Sequence, residues 1–308
     1  MAWPETVKLV EVGPRDGLQN EPRIIDTNTK VELVRRLTEA GLAHIEVSSF
    51  VSARRIPQLA DAEAVFAALT PQEGVRYSAL VPNERGMARA EAAGVDTVAV
   101  FTAASETFCR KNIHCSIAQS LERFEPVVSR ARQRGMAVRA YVSCVAGCPY
   151  EGPVDPQAVA GVVQRLAELG CEEISLGDTI GVATPRQVLA LLAACRERVP
   201  VGRLAVHFHD TRGQALANIM VSLEQGVRTV DAAVAGLGGC PFAPGAGGNV
   251  ATEDVVYLLH GLGVRTGVDL PALIETGRWI SQCLQRCNQS KVGLAGVPYG
   301  DRNDQTTP

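Results

Sequence analysis

The chain has 308 residues, 46% of them hydrophobic and 20% charged, with 30 Lys and Arg against 33 Asp and Glu for a net charge of −3. That length and apolar share suffice for one large core, while a balanced charge with no basic run argues against a nucleic-acid partner. No apolar run is long enough to span a bilayer or form a secretory h-region, and the nine cysteines show no disulfide rhythm, so a soluble cytoplasmic protein with reduced thiols and no membrane contact is expected.

Short β-branched runs alternate with longer amphipathic stretches along the whole chain. Strands are predicted at residues 7–12, 44–47, 76–81, 97–101, 137–142, 173–176, 204–208 and 229–234. Amphipathic segments such as 29–40, 156–169 and 185–198 lie between them, and Gly41, Gly94, Gly135, Gly170 and Gly226 stand where helices stop. Eight strand–helix units close naturally into a (β/α)8 TIM barrel of about 250 residues. One domain is therefore expected, with a barrel over about 6–265, an added helix over about 269–292 and a disordered tail at 299–308. A doubly wound open sheet would need a glycine-rich phosphate loop after the first strand, and residues 12–17 (VGPRDG) lack that spacing.

In such a barrel the chemistry sits where strands run into the following loops. Those junctions carry Glu11, Arg15 and Asp16 after the first strand, Glu46, Ser48 and Ser49 at the second, Asp178 and Thr179 at the sixth, His207 and His209 at the seventh, and Cys240 and Asn249 after the eighth. Polar and titratable groups at the ends of apolar strands are costly unless paired or metal-bound, so their joint occurrence points to a site. His207 and His209, two residues apart on a strand, project from the same side. Two imidazoles with oxygen donors from Asp16 and Asn249 suit an octahedral divalent ion, Mg or Mn first, with Zn or Co as alternatives. A closed structural zinc site would need partners that Cys144 and Cys148 lack, and His44, His114 and His260 have no comparable setting.

Cys240 sits in a glycine-rich stretch, residues 236–249 (GLGGCPFAPGAGGN). Such backbone can approach a ligand closely and move as a lid. Beside a metal site, a thiol there is better placed as proton donor or acceptor than as packing or as a nucleophile, since no histidine lies nearby in sequence to activate it. Cys283 and Cys287, four apart on one predicted helix face, are taken as idle thiols rather than a redox pair.

Six runs, residues 9–20 (LVEVGPRDGLQN), 45–46 with 49–52 (SFVS), 141–144 with 147–152 (GCPYEG), 175–181 (SLGDTIG), 207–210 (HFHD) and 234–241 (VAGLGGCP), resemble the 3-hydroxy-3-methylglutaryl-CoA lyase family in order over residues 7–292. The resemblance implies a metal-dependent carbon–carbon lyase that forms acetoacetate and acetyl-CoA, a step of leucine degradation and ketone-body formation. It implies metal ligands at Asp16, His207, His209 and Asn249. It further implies that Arg15 clamps the enolate oxygen and that Cys240 protonates the acetyl-CoA carbanion. Asp178, Glu46 and His207 are unranked candidates for deprotonating the substrate hydroxyl, and Arg15, Gln19, Lys111, Asn112 and Tyr141 are candidates for holding the acyl-CoA. A homodimer is expected by the same analogy. Departures at Phe208, Phe242 and Gly247 are compatible with the mechanism but could widen the acyl pocket toward longer branched substrates, and Gln285 and Cys287 replace a more basic surface. A Claisen-type synthase shares Arg15, Asp16 and the two histidines, but such synthases usually carry a long further region. A silent metal-binding scaffold would not need Cys240, Arg15 and Glu46 together.

Overall fold

In a computed structural model of the chain, residues 3–239 and 248–297 are described. Eight parallel strands close into a barrel: β1 (Lys8–Glu11), β2 (His44–Ser49), β3 (Arg76–Leu80), β4 (Thr97–Ala103), β5 (Ala137–Ser143), β8 (Glu173–Asp178), β9 (Leu204–Phe208) and β10 (Thr229–Ala232). Closure comes from β1 pairing with β10, Glu11 opposite Ala232. Between β5 and β8 the chain makes a two-residue-per-strand hairpin, β6 (Gly147–Cys148) with β7 (Gly152–Pro153), that the hydrophobic pattern does not announce.

Helices alternate with the strands on the outside: α1 (Thr27–Glu39), α2 (Ala62–Ala68), α3 (Glu84–Ala92), α4 (Glu106–Ile113), α5 (Ile117–Gln133), α6 (Pro156–Leu169), α7 (Pro185–Arg196), α8 (Ala215–Glu224) and α9 (Thr252–Gly261). The chain is thus a TIM barrel. Local chemistry sets the helix starts: Asp26, Asn83, Ser105 and Asp155 each accept a backbone N–H at the first turn. The five glycines predicted as stops all take positive φ, Gly170 at 106°, where a Cβ would meet the Arg132 guanidinium at 2.9 Å.

Two sequence expectations change. The first and last barrel strands are shorter than 7–12 and 229–234, because the chain turns early into a π-helical turn at Gly13–Gly17 and a 3-10 turn at Val234–Gly236. The added helix is two, α10 (Leu270–Leu284) and α11 (Lys291–Ala295), because Gln285 takes the left-handed conformation, φ 55°, and closes the first with bonds to Gln282 and Ser281. The expected tail at 299–308 lies outside the described residues. Asp254 then anchors α11, accepting from Ser290 Oγ at 2.7 Å and Val292 N at 2.8 Å.

Candidate active site

The π-helical turn places Arg15 and Asp16 at the barrel mouth, held by Asp16 N and Gly17 N donating to Val12 O. Gly17 is needed for that placement, since a Cβ there would stand 2.6 Å from Leu237 Cβ. From β9, His207 and His209 enter the same space. Residues 248–250 run antiparallel to the end of β9, with Asp210 N donating to Gly248 O at 3.0 Å and Val250 N to Phe208 O at 3.1 Å, and this delivers Asn249 beside Asp16.

Donor atoms of Asp16, His207 and His209 all lie within 4.8 Å of one another. His207 Nε2 is 3.9 Å from Asp16 Oδ2, and Asn249 Nδ2 donates to that same oxygen at 2.9 Å. His209 Nδ1 is buried and makes no hydrogen bond of regular geometry, although the Thr179 backbone lies close enough to interact with the ring. Burial pushes the His209 imidazole down to about 4, aided by His207, so it is neutral at pH 7. Burial works to raise Asp16 as well, but Arg15, both imidazoles and Asn249 carry it well below the usual carboxylate range. A carboxylate and two imidazoles are a donor set that fits a divalent cation.

Beside this cluster Arg15 is locked on two sides. Its Nη1 lies 2.6 Å from Asp16 Oδ1 and its Nε donates to Glu46 Oε1. Glu46 is wholly buried, and its second oxygen accepts from Tyr141 OH at 2.8 Å. Burial raises the Tyr141 phenol well above its ordinary range, which keeps that hydroxyl a donor. Asp178 is also fully buried; its two oxygens accept from Val182 N at 3.1 Å and Ala183 N at 2.8 Å, and burial raises its carboxyl. Glu11 is turned away from the mouth and caps neighbouring loops through Gly13 N, Val234 N and Thr252 Oγ1.

A cleft of about 680 Å³ opens onto the site. Arg15, Asp16, Gln19, Asn112, Tyr141, His207 and His209 line it, and Leu80, Phe101 and Phe124 give it an apolar wall. Lys111 is not among its lining residues; its ammonium sits 4.0 Å from the Tyr150 ring centre. Arg55 and Arg123 line the cleft instead, two cations the sequence reading passed over because they lie in a loop and on a helix rather than at strand ends. Also missed were Asp231, Arg139 and Ser175, buried behind the histidines. The available signal was a charged residue in the middle of an otherwise apolar strand, as in residues 229–234 (TVDAAV). Cys240 lies outside the described residues, although the preceding Gly239 lines the cleft.

Comparison with known proteins agrees with this picture. The family model described as HMGL-like matches residues 6–280. The chain is 55% identical to hydroxymethylglutaryl-CoA lyase of Pseudomonas mevalonii over 94% of its length and 97% of that protein. It is 55% identical to the mitochondrial hydroxymethylglutaryl-CoA lyase of Gallus gallus over 96% of its length and 99% of that protein. The crystal structure of hydroxymethylglutaryl-CoA lyase from Pseudomonas aeruginosa superposes with a TM-score of 0.94 at 54% identity, covering 96% of this chain and 98% of that one. With its closed barrel, its Asp16–His207–His209 cluster and these relatives along nearly its whole length, the chain belongs to the HMGL-like family, among the hydroxymethylglutaryl-CoA lyases.

Proposed function

We propose that this protein is a divalent-metal-dependent carbon–carbon lyase that splits 3-hydroxy-3-methylglutaryl-CoA into acetoacetate and acetyl-CoA. The observation that carries the reading is the Asp16–His207–His209 cluster set beside a doubly held Arg15 in one cleft. Asp16, His207 and His209, with the amide oxygen of Asn249, would hold Mg or Mn. When bound, the cation acts as a Lewis acid that lowers the pKa of the substrate hydroxyl.

Cleavage breaks the bond between the carbon bearing the hydroxyl and the carbon next to the thioester. The hydroxyl proton leaves, its oxygen becomes the ketone of acetoacetate, and the electron pair passes to the thioester enolate. Arg15 faces the cleft with a guanidinium already oriented by Glu46 and Asp16, so it stabilises the enolate oxygen without reorganising during the reaction. Cys240 supplies the proton that converts the enolate to acetyl-CoA. Glu46, with its two oxygens engaged by Arg15 and Tyr141, serves to orient rather than to accept the hydroxyl proton. Asp178 is engaged in the same way, by Val182 N and Ala183 N, and does not line the cleft, so of the three candidates it is His207 that faces the substrate hydroxyl.

Arg55 and Arg123, not Lys111, supply positive charge to the cleft for the phosphates of coenzyme A. A related structure from Acinetobacter baumannii, 37% identical and with a TM-score of 0.91, is described as a complex with coenzyme A and 3-methylmalate. None of the eight described cysteines is in a disulfide, and among the described residues no helix is long and apolar enough to cross a membrane. The thiols suit a reducing compartment, and we place the protein in the cytoplasm, although relatives include cytoplasmic and mitochondrial forms. A homodimer follows from the family resemblance and is checked by light scattering. The decisive experiment measures acetoacetate from 3-hydroxy-3-methylglutaryl-CoA after chelation, with and without added Mg or Mn, beside Cys240→Ala. Metal-dependent acetoacetate that collapses in the variant supports the reading, and no acetoacetate with any metal refutes it.

A further inference from the structure

Asp231 is fully buried on β10 and stands in register with His207 on β9. It accepts from four donors: Arg139 Nη2, Arg139 Nη1 at 3.1 Å, Ser175 Oγ at 2.7 Å and His207 Nδ1 at 3.3 Å. Neither Asp231 nor Arg139 nor Ser175 lines the cleft, so none of them meets the substrate directly. We propose that Asp231 is a positioning residue for the reaction, holding His207 in the one tautomer and orientation that present Nε2 to the metal, with Arg139 extending the same hold to Arg15.

The direction of each bond follows from donor and acceptor inventory. A guanidinium stays protonated, and the carboxylate facing it edge-on is ionised and can only accept. The ring nitrogen of His207 that faces Asp231 must then bear hydrogen, so Nε2 is the nitrogen turned toward Asp16 and His209 and the one available to a metal. At 3.9 Å, Nε2 and Asp16 Oδ2 are too far apart for a hydrogen bond but suitably spaced to share a cation.

The other branch is equally constrained. Arg139 Nη1 donates to Tyr141 OH at 2.7 Å, so the phenol, having accepted, donates onward to Glu46 Oε2 at 2.8 Å, and Glu46 Oε1 holds Arg15 Nε. A single buried guanidinium thus braces both the metal side and the enolate side of the site. The alternative is that Asp231 only neutralises Arg139 within the core, as buried ion pairs often do.

This inference rests on the metal centre proposed above, and the test separates the two. Protein labelled with ¹⁵N-histidine reports the tautomer of each imidazole, with the His207 signals identified by their loss in His207→Gln. The expected result in the metal-free protein is hydrogen on Nδ1 and a bare Nε2 for His207; hydrogen on Nε2 would overturn the proposal. Mn²⁺ affinity is then read by electron paramagnetic resonance of the free ion. Asp231→Asn should weaken it by about 10–100-fold. Ser175→Ala, which removes a different donor to the same carboxylate, should leave it unchanged. Unaltered Mn²⁺ affinity in a folded Asp231→Asn protein would also overturn the proposal. If that variant does not fold, the tautomer in the unsubstituted protein still decides. If the unsubstituted protein binds no Mn²⁺, the metal centre itself is wrong, whereas the tautomer continues to read the hold of Asp231 on His207.

Discussion

Glu253 offers a sharp test of how buried carboxyls brace the mouth of the barrel. It is wholly buried at the start of α9, and both its oxygens accept from Ala235 N, at 3.0 and 2.9 Å, in a turn where Ala235 takes φ 57°. Gly277 packs so closely that a Cβ there would meet Glu253 Oε1 at 2.2 Å, which leaves no room for water. Burial accordingly raises the carboxyl from 4.5 to about 8, with Glu11 and Asp254 adding repulsion. Because the folded protein holds this proton more tightly than the unfolded chain, the contribution of Glu253 to stability is highest below pH 4.5. It falls as the pH rises toward 8 and is level above that. At 1.36 kcal/mol for each pKa unit, the loss between these limits is on the order of 5 kcal/mol. Glu253→Gln keeps an acceptor for Ala235 N but cannot ionise. Urea midpoints of both proteins at pH 5, 6, 7 and 8 should therefore converge at pH 5 and diverge steadily above it, with the variant the more stable. A difference that stays flat across this range would show that Glu253 is already ionised in the folded protein and would refute the argument.

Other substitutions address the site directly. Arg15→Lys cannot bond Glu46 through Nε and Asp16 through Nη1 at once, so kcat should fall by about 10²–10³ while Mn²⁺ affinity is kept; an unchanged kcat would remove Arg15 from the reacting centre. Gly17→Ala drives a Cβ to 2.6 Å from Leu237 Cβ and should cost about 1–3 kcal/mol in urea unfolding, whereas an unshifted midpoint would mean that Leu237 yields. Replacing Arg55 and Arg123 together by Ser should raise KM for the acyl-CoA and leave kcat alone, and a loss confined to kcat would contradict their phosphate role. Removal of the divalent ion by chelation should abolish acetoacetate formation and restore it on adding Mg or Mn, with the fold unchanged by circular dichroism.

Much of the architecture was legible in the order of residues. The alternation of β-branched runs with amphipathic stretches announces the barrel, because period two and period 3.6 are local properties of the chain. The glycines at helix ends and the Asp, Asn and Ser caps act within a few residues of themselves, so they too can be read without coordinates. Strand-end residues such as Asp16, His207 and His209 could be gathered at one mouth because a closed parallel barrel sends all its strand ends there. What only tertiary structure decided are the pairings across the barrel. Asp231 meets Arg139, 92 residues away, and Glu46 meets Tyr141, 95 residues away. The same holds for the close packing of Gly17 against Leu237 and for the placing of Arg55 and Arg123 on the cleft wall. Hydrophobic period records which face of an element is buried; it carries no record of which buried polar group will stand opposite. That choice is made by strand register and barrel closure, when desolvated charges must find partners or remain unpaid.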